Sequence, residues 1–469
     1  MVLDRVKRSW SKCYFLLCLC LFELSLVAQI SMPSVFCDNM VLQQNSDVSV
    51  WGYGNRDEVI KIVGSWASKD TVYVKADVLG KFYTKIRTIG YGGPYTLHII
   101  GSRNYSYKNI LLGEVWLCSG QSNMAMTLFR TEMAKKDMQN ATNSHIRIFN
   151  VPVKGAESPQ NDCDAVWTVC SPDVAGKISA VAYYFAEKLC KELKVPIGII
   201  ISAAGGTPAD AWTPENEILS DSLVRDNLCK ELWDTRPSKP GVLYNWMIHP
   251  IVPYTISGCI WYQGESNYLH YETYSRLLER MVTSWRKRFN NEFPFYLVQI
   301  APYRYHSIDN KPALLREQQE LFTKRMRSTG MVIISDLVND INDIHPVRKK
   351  EVGVRLANWA LGDHYHLPIK GYKNPVLDSL FFQKEEVVVR FRNLEQLRAT
   401  SFRELEIAGV DGIFYKAKGR IEGNDLVMWS EKVREPVYVR YCFNDDGEAC
   451  LFSETGLPVA PFRTDGLKK

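Results

Sequence analysis

Between residues 109 and 366, strand-like apolar runs alternate with helical patterns, and few folds accept that order. The strand-like runs cover 110–117, 196–203, 257–262, 294–300 and 330–335. Between them, residues 180–193 put Val181, Tyr184, Phe185 and Leu189 on one helical face. Tyr274, Leu277, Leu278, Met281, Val282 and Trp285 keep the same period. A strand followed by a crossover helix returns as a parallel neighbour, so the alternation predicts an α/β domain with a doubly wound parallel sheet. Such sheets gather their ligands at the carboxyl ends of the strands.

The 469 residues are too many for one core. Residues 29–108 carry short period-two runs, such as Asp47-Val-Ser-Val-Trp-Gly52, separated by Gly, Asn and Asp. They predict an N-terminal β-sandwich-like domain. Residues 109–367 form the α/β domain, and residues 368–469 return to strand patterning as a C-terminal β region. At the start, Arg5, Lys7, Arg8 and Lys12 precede the apolar stretch 13–22, and Leu24-Ser-Leu-Val-Ala28 follows Glu23. This is the order of a secretory signal peptide over residues 1–28, with an uncleaved anchor as the alternative. The expected location is therefore secreted or periplasmic. No later segment has the roughly 18 apolar residues of a membrane span, so no stable membrane association is expected.

The net charge of +5 comes with no dense Lys/Arg block, which excludes a nucleic-acid footprint. Nine of the 12 cysteines lie beyond residue 28. Export permits disulfides, and Cys163/Cys170 and Cys442/Cys450 are close enough in sequence to pair. No Cys/His spacing suits zinc, and the expectation is no metal and no cofactor. Oligomeric state is not legible.

Three of the strand-like runs lead into polar, glycine-bearing segments: Gly120-Gln-Ser-Asn123, Ser202-Ala-Ala-Gly-Gly-Thr-Pro-Ala-Asp-Ala-Trp212 and Trp261-Tyr-Gln-Gly-Glu-Ser-Asn267. A fourth, Asn342-Asp-Ile-His-Pro346, follows the last run. Their convergence on one sheet edge is harder to explain by packing than any single piece. Acyl transfer needs a nucleophile, a base, a group orienting the base and donors for the oxyanion. Ser122 is the candidate nucleophile and His345 the base, with Asp343 two residues before it. The Gly205-Gly206 turn can present backbone N–H groups. Gln121, Gln263 and Asn267 can offer amide hydrogens to the oxyanion or substrate. Glu265 takes a supporting role. Ser266 is a second-ranked nucleophile, because Gly264-Glu-Ser266 repeats the Gly-x-Ser spacing.

Together these segments resemble the four signature blocks of the sialate O-acetylesterase family of SGNH-type (GDSL-like) hydrolases. Ser34-Val-Phe-Cys-Asp-Asn-Met-Val-Leu-Gln-Gln44 is similar to that family's mature opening, and Gly456-Leu-Pro-Val-Ala-Pro-Phe-Arg-Thr-Asp465 to its close. The resemblance covers essentially the whole mature chain. It implies an SGNH-hydrolase-like three-layer α/β/α domain flanked by β regions. It also implies a serine carbohydrate esterase, removing O-acetyl groups most of all from sialic acid through an acetyl-enzyme, with an oxyanion hole lined by the glycine and Gln263 blocks. Two positions depart from the general SGNH pattern. Asn342 stands where the acid three residues before the histidine belongs, which leaves a triad with Asp343 or a dyad. Ser266 stands where the oxyanion asparagine belongs, so Gln263 carries more weight than Asn267. The other readings are an acetyl-xylan-type polysaccharide esterase, a glycoside hydrolase using Glu265 with Asp210 or Asp343, and a non-catalytic glycan-binding protein.

Overall fold

The computed structural model describes residues 29–232, 234–305 and 309–466. The expected signal peptide, residues 1–28, lies outside the described residues, as does His306. We number the strands of the central sheet in chain order. They are β1 (Tyr105–Gly120), β2 (Asn143–Asn150), β3 (Trp167–Cys170), β4 (Ile197–Ala203), β5 (Gly258–Tyr262), β6 (Phe295–Val298) and β7 (Thr329–Val332). Across the sheet the order is β7-β6-β5-β1-β4-β2-β3. All neighbours are parallel except the edge strand β3, which runs antiparallel to β2.

Helices α1 (Ala180–Leu193), α2 (Tyr274–Phe289), α3 (Lys311–Arg325) and α4 (Lys349–Trp359) cover the two faces. Strand alternation explains how. Trp116 and Cys118 of β1 join Ile199 and Ile260 in one apolar cluster, against Val181, Phe185 and Leu189 of α1 and Leu356 of α4. Val115 and Leu117 point the other way, into a cluster with Trp261, Leu278 and Trp285 of α2 and Phe322 of α3. Every residue of β1 from Ile110 onward is buried, which is why its sequence is almost continuously apolar. The expected three-layer α/β/α domain is present.

Chain order reverses at β1. From there the chain passes to β2, returns through β4 on that side, and then crosses to β5 on the other. Ala203 of β4 and Tyr262 of β5 are both register partners of Gly120, so the three strands end on one rung. The crevice of a doubly wound sheet opens at such a reversal.

β1 also ties the α/β domain to the N-terminal β region. Its first half pairs antiparallel with Gly92–Ile100 and parallel with Val41–Gln43, so the strand runs unbroken through residues 108 and 109. Asp47–Tyr53 and Lys81–Arg87 form a separate antiparallel pair. Buried Val48, Val50, Ile60, Ile62, Leu97 and Ile99 alternate with more exposed neighbours. The C-terminal strands have their own cluster around Val387, Val389, Ile407, Met428 and Val439. They dock on α3 through Arg463, which makes two 2.9 Å hydrogen bonds to Glu317.

The expected disulfides do not form: Cys163, Cys170, Cys442 and Cys450 are all free thiols. Cys163 and Cys170 belong to different apolar clusters, so nearness in sequence does not bring them together. The Cys442 thiol instead donates to the Glu448 carbonyl at 3.4 Å.

Candidate active site

Gly120 ends β1 at φ +140°, and a Cβ there would lie 2.2 Å from the Tyr262 carbonyl oxygen. Only glycine lets the chain leave the sheet so close to β5. The Gln121 N–H donates to that same carbonyl at 2.9 Å. The chain then turns into the short helix Ser122–Ala125, which leaves Ser122 half-buried on its first turn.

The segment after β7 brings His345 to it from 223 residues away, with Nε2 2.9 Å from Ser122 Oγ. Burial pushes the His345 imidazole below the ordinary histidine value; Asp343 opposes that shift, and Lys349 and Arg130 add to it. The ring is therefore neutral around pH 7, with Nε2 free to accept the serine proton.

Asp343 does not hold the ring as an acid of a hydrogen-bonded triad would. Its Oδ1 stands 3.7 Å from Nδ1, beyond hydrogen-bond range, and accepts the His345 backbone N–H at 2.9 Å. Asn342 faces Asp340 and Arg304. Among the described residues the His345 ring makes one hydrogen bond, to Ser122.

Gly205 stands beside the serine: a Cβ built on it would lie 3.7 Å from Ser122 Cβ. Gly206, at φ +67°, turns its carbonyl to Arg236 Nη1 at 2.8 Å. Among the described residues the backbone N–H groups of Ser122 and Gly205 have no protein acceptor, and the two residues stand side by side.

Three residues expected to line the oxyanion hole do other work. Gln263, fully buried, donates to the Thr207 carbonyl at 3.2 Å and to Asn267 Oδ1 at 2.7 Å, while its Oε1 accepts from the Tyr274 hydroxyl at 2.8 Å. Asn267 donates to Asp210 Oδ2 at 2.9 Å and to Cys229 Sγ at 3.3 Å, and accepts the Ala209 N–H at 2.9 Å. Their amide hydrogens are already committed. Gln121 Oε1 accepts the Gly264 and Ser266 N–H groups at 3.4 and 3.2 Å, tying the first loop to the third. These residues brace the loops. Asp210, 1% exposed, accepts from Asn267 and from the Cys229 N–H, which removes it as half of a glycosidase carboxylate pair.

Two residues that the sequence reading did not select complete the centre. Asn123, fully buried, donates to Glu265 Oε1 at 2.5 Å and to the Ile344 carbonyl at 3.0 Å. Its Oδ1 accepts from Lys349 Nζ at 2.5 Å. Burial pushes Lys349 down to about 7 and the Glu265 carboxyl upward, with each charge partly offsetting the other's shift. Nothing in the sequence separates Lys349, 1% exposed on the inner side of α4, from the neighbouring Lys350, which reaches out to Asp137. Among the described residues, one cluster has metal-ligand chemistry: Cys229, Glu231 and His270, whose donor atoms lie within 4.8 Å of one another. His270 hydrogen-bonds Glu231 at 3.1 Å and Asn227 at 3.1 Å, so the cluster is internally satisfied.

The family model described as carbohydrate esterase, sialic acid-specific acetylesterase, matches residues 112–361. The sialate O-acetylesterase of Pongo abelii is 31% identical over 426 residues, spanning 81% of this chain and 78% of that one. The Homo sapiens sialate O-acetylesterase is 30% identical with the same coverage. The crystal structure of a carbohydrate acetylesterase from Xanthomonas citri superposes with a TM-score of 0.85 at 31% identity, covering 93% of this chain and 100% of that one.

Proposed function

The chain belongs to the sialic acid-specific acetylesterase family of carbohydrate esterases, and from that premise we propose that it removes O-acetyl groups from sialic acid with Ser122 as nucleophile. The observation that carries the reading is the 2.9 Å approach of His345 Nε2 to Ser122 Oγ at the sheet's carboxyl edge.

His345 Nε2 takes the Ser122 proton as Oγ attacks the acetyl carbonyl. The oxyanion forms against the backbone N–H groups of Ser122 and Gly205. When the tetrahedral intermediate collapses, the sugar oxygen leaves and takes the proton from His345 Nε2–H. The acetyl group stays on Ser122. A water then gives its proton to His345 and attacks the ester, and acetate departs as Ser122 recovers its hydrogen. Asp343 acts at a distance, its negative charge favouring the imidazolium that forms in each half. Residues 1–28 serve as the export signal, so the enzyme meets its glycans outside the cytoplasm.

The test is acetate release from O-acetylated sialic acids and from acetylated xylan, by the wild type and by Ser122→Ala. The wild type should prefer the sialic acids, and the variant should keep its melting temperature while losing ~10⁶-fold in kcat. Full activity in Ser122→Ala would overturn the assignment of the nucleophile. Preference for xylan would move the substrate to plant polysaccharide.

A further inference from the structure

The peptide unit between Ile344 and His345 is held on both sides. Asn123 Nδ2 donates to its carbonyl at 3.0 Å, and Asp343 Oδ1 accepts its N–H at 2.9 Å. The base is thus gripped through its main chain, and one of the two grips comes from the residue next to the nucleophile.

An asparagine amide has two ends of nearly equal shape, and only its partners decide which way it points. Lys349 Nζ donates to the oxygen end, and Glu265 Oε1 accepts from the nitrogen end. With both partners buried, these bonds give the amide one orientation, and its second hydrogen faces the Ile344 carbonyl.

We infer that Asn123 is a positioning residue that sets the distance between Ser122 and His345, and that Glu265 and Lys349 fix the direction of its amide. The inference rests on the serine-nucleophile reading. It gives the dyad a substitute for the ring hydrogen bond that Asp343 does not make. Misplacing reacting groups by about 1 Å costs ~10²-fold in rate, which is the scale of effect expected.

Three variants of the mature protein test it: Asn123→Asp, Glu265→Gln and the double Asn123→Asp/Glu265→Gln. Each is followed by melting temperature, kcat and KM on an aryl acetate, and the rate of Ser122 labelling by an organophosphonate. Asn123→Asp sets a carboxylate against Glu265 and an acceptor against the Ile344 carbonyl, so both stability and kcat should fall. Glu265→Gln offers Asn123 a donor as well as an acceptor, so it weakens the bias on the amide, and kcat should fall by about tenfold or less, less than in Asn123→Asp. The double variant removes the carboxylate repulsion, so its melting temperature should recover. Its kcat and labelling rate should remain ~10²-fold low with KM little changed, because the Ile344 carbonyl still faces an acceptor. Recovery of kcat and labelling together with stability would overturn the inference and leave Asn123 a packing residue. Absence of label on Ser122 in the wild type is a different result, and defeats the nucleophile reading.

Discussion

Two polar groups sit side by side at the carboxyl edge of the sheet and differ in how their hydrogen bonds are filled. In the brace of Gln263, Asn267, Asp210 and Tyr274, the amide hydrogens are committed to protein acceptors and the group is buried. In the reactive pair, the His345 ring makes one hydrogen bond among the described residues, and neighbouring backbone donors at Ser122 and Gly205 have no protein acceptor. Saturated polar groups hold shape, whereas unsatisfied ones near solvent are available for chemistry. Residue type alone does not separate the two.

That contrast predicts opposite failures. Removal of the base, His345→Ala, should lower kcat by at least ~10⁴-fold and leave the melting temperature nearly unchanged, since the ring is half-buried with one partner. In the brace, Asn267→Ala strands the Gln263 amide, Asp210 and the Ala209 N–H inside the protein. Each buried polar atom left without a partner costs about 1–3 kcal/mol, so the melting temperature should drop first and kcat per folded molecule by less than about tenfold. Thermal unfolding and kcat measured on the same preparations separate the two regions. Comparable stability losses in both variants would erase the distinction.

The smallest effect is expected at Asp343, which touches the base only from a distance. Its charge raises the His345 pKa against the lowering by burial. The neutral imidazole is the working form, so activity is present above the folded-state pKa and lost as pH falls through it. Asp343→Asn removes the opposing charge and should shift the acidic limb of kcat/KM to lower pH. The amide oxygen of the variant still accepts the His345 N–H, so kcat should fall by about tenfold or less, far short of the ~10⁴-fold loss in a hydrogen-bonded triad. A loss of that larger size would mean that Asp343 holds the ring in the working enzyme, and a limb moving to higher pH would mean that its charge does not raise the His345 pKa.

Much of the fold was legible because strands buried on both faces are written in unbroken apolar runs. Ile197–Ala203 and Gly258–Tyr262 fall within one residue of the expected runs, and Ala180–Leu193 matches its period. The strand Asn143–Asn150 was missed because Ser144, His145 and Arg147 interrupt it; the Arg147 guanidinium is nonetheless buried, bonded to the Ser144 carbonyl and to Asn39.

Strand-end grammar, which reports where a loop leaves the sheet, selects Ser122, Gly205 and His345, and the structure brings the three together. The partners of the Gln263 and Asn267 amides were not legible, since a sequence lists an amide's hydrogens without saying where they point. Asn123 lay within the recognised segment yet stood out only once its three partners, distant in sequence, were in place.

Whether Ser122 carries the acetyl group is read by rapid quenching during turnover of an O-acetylated sialic acid, followed by peptide mass spectrometry. An acetyl group should appear on the peptide containing Ser122 and be absent from Ser122→Ala. Acetyl on the peptide containing Ser266 instead, or full turnover in Ser122→Ala, would contradict the assignment of Ser122.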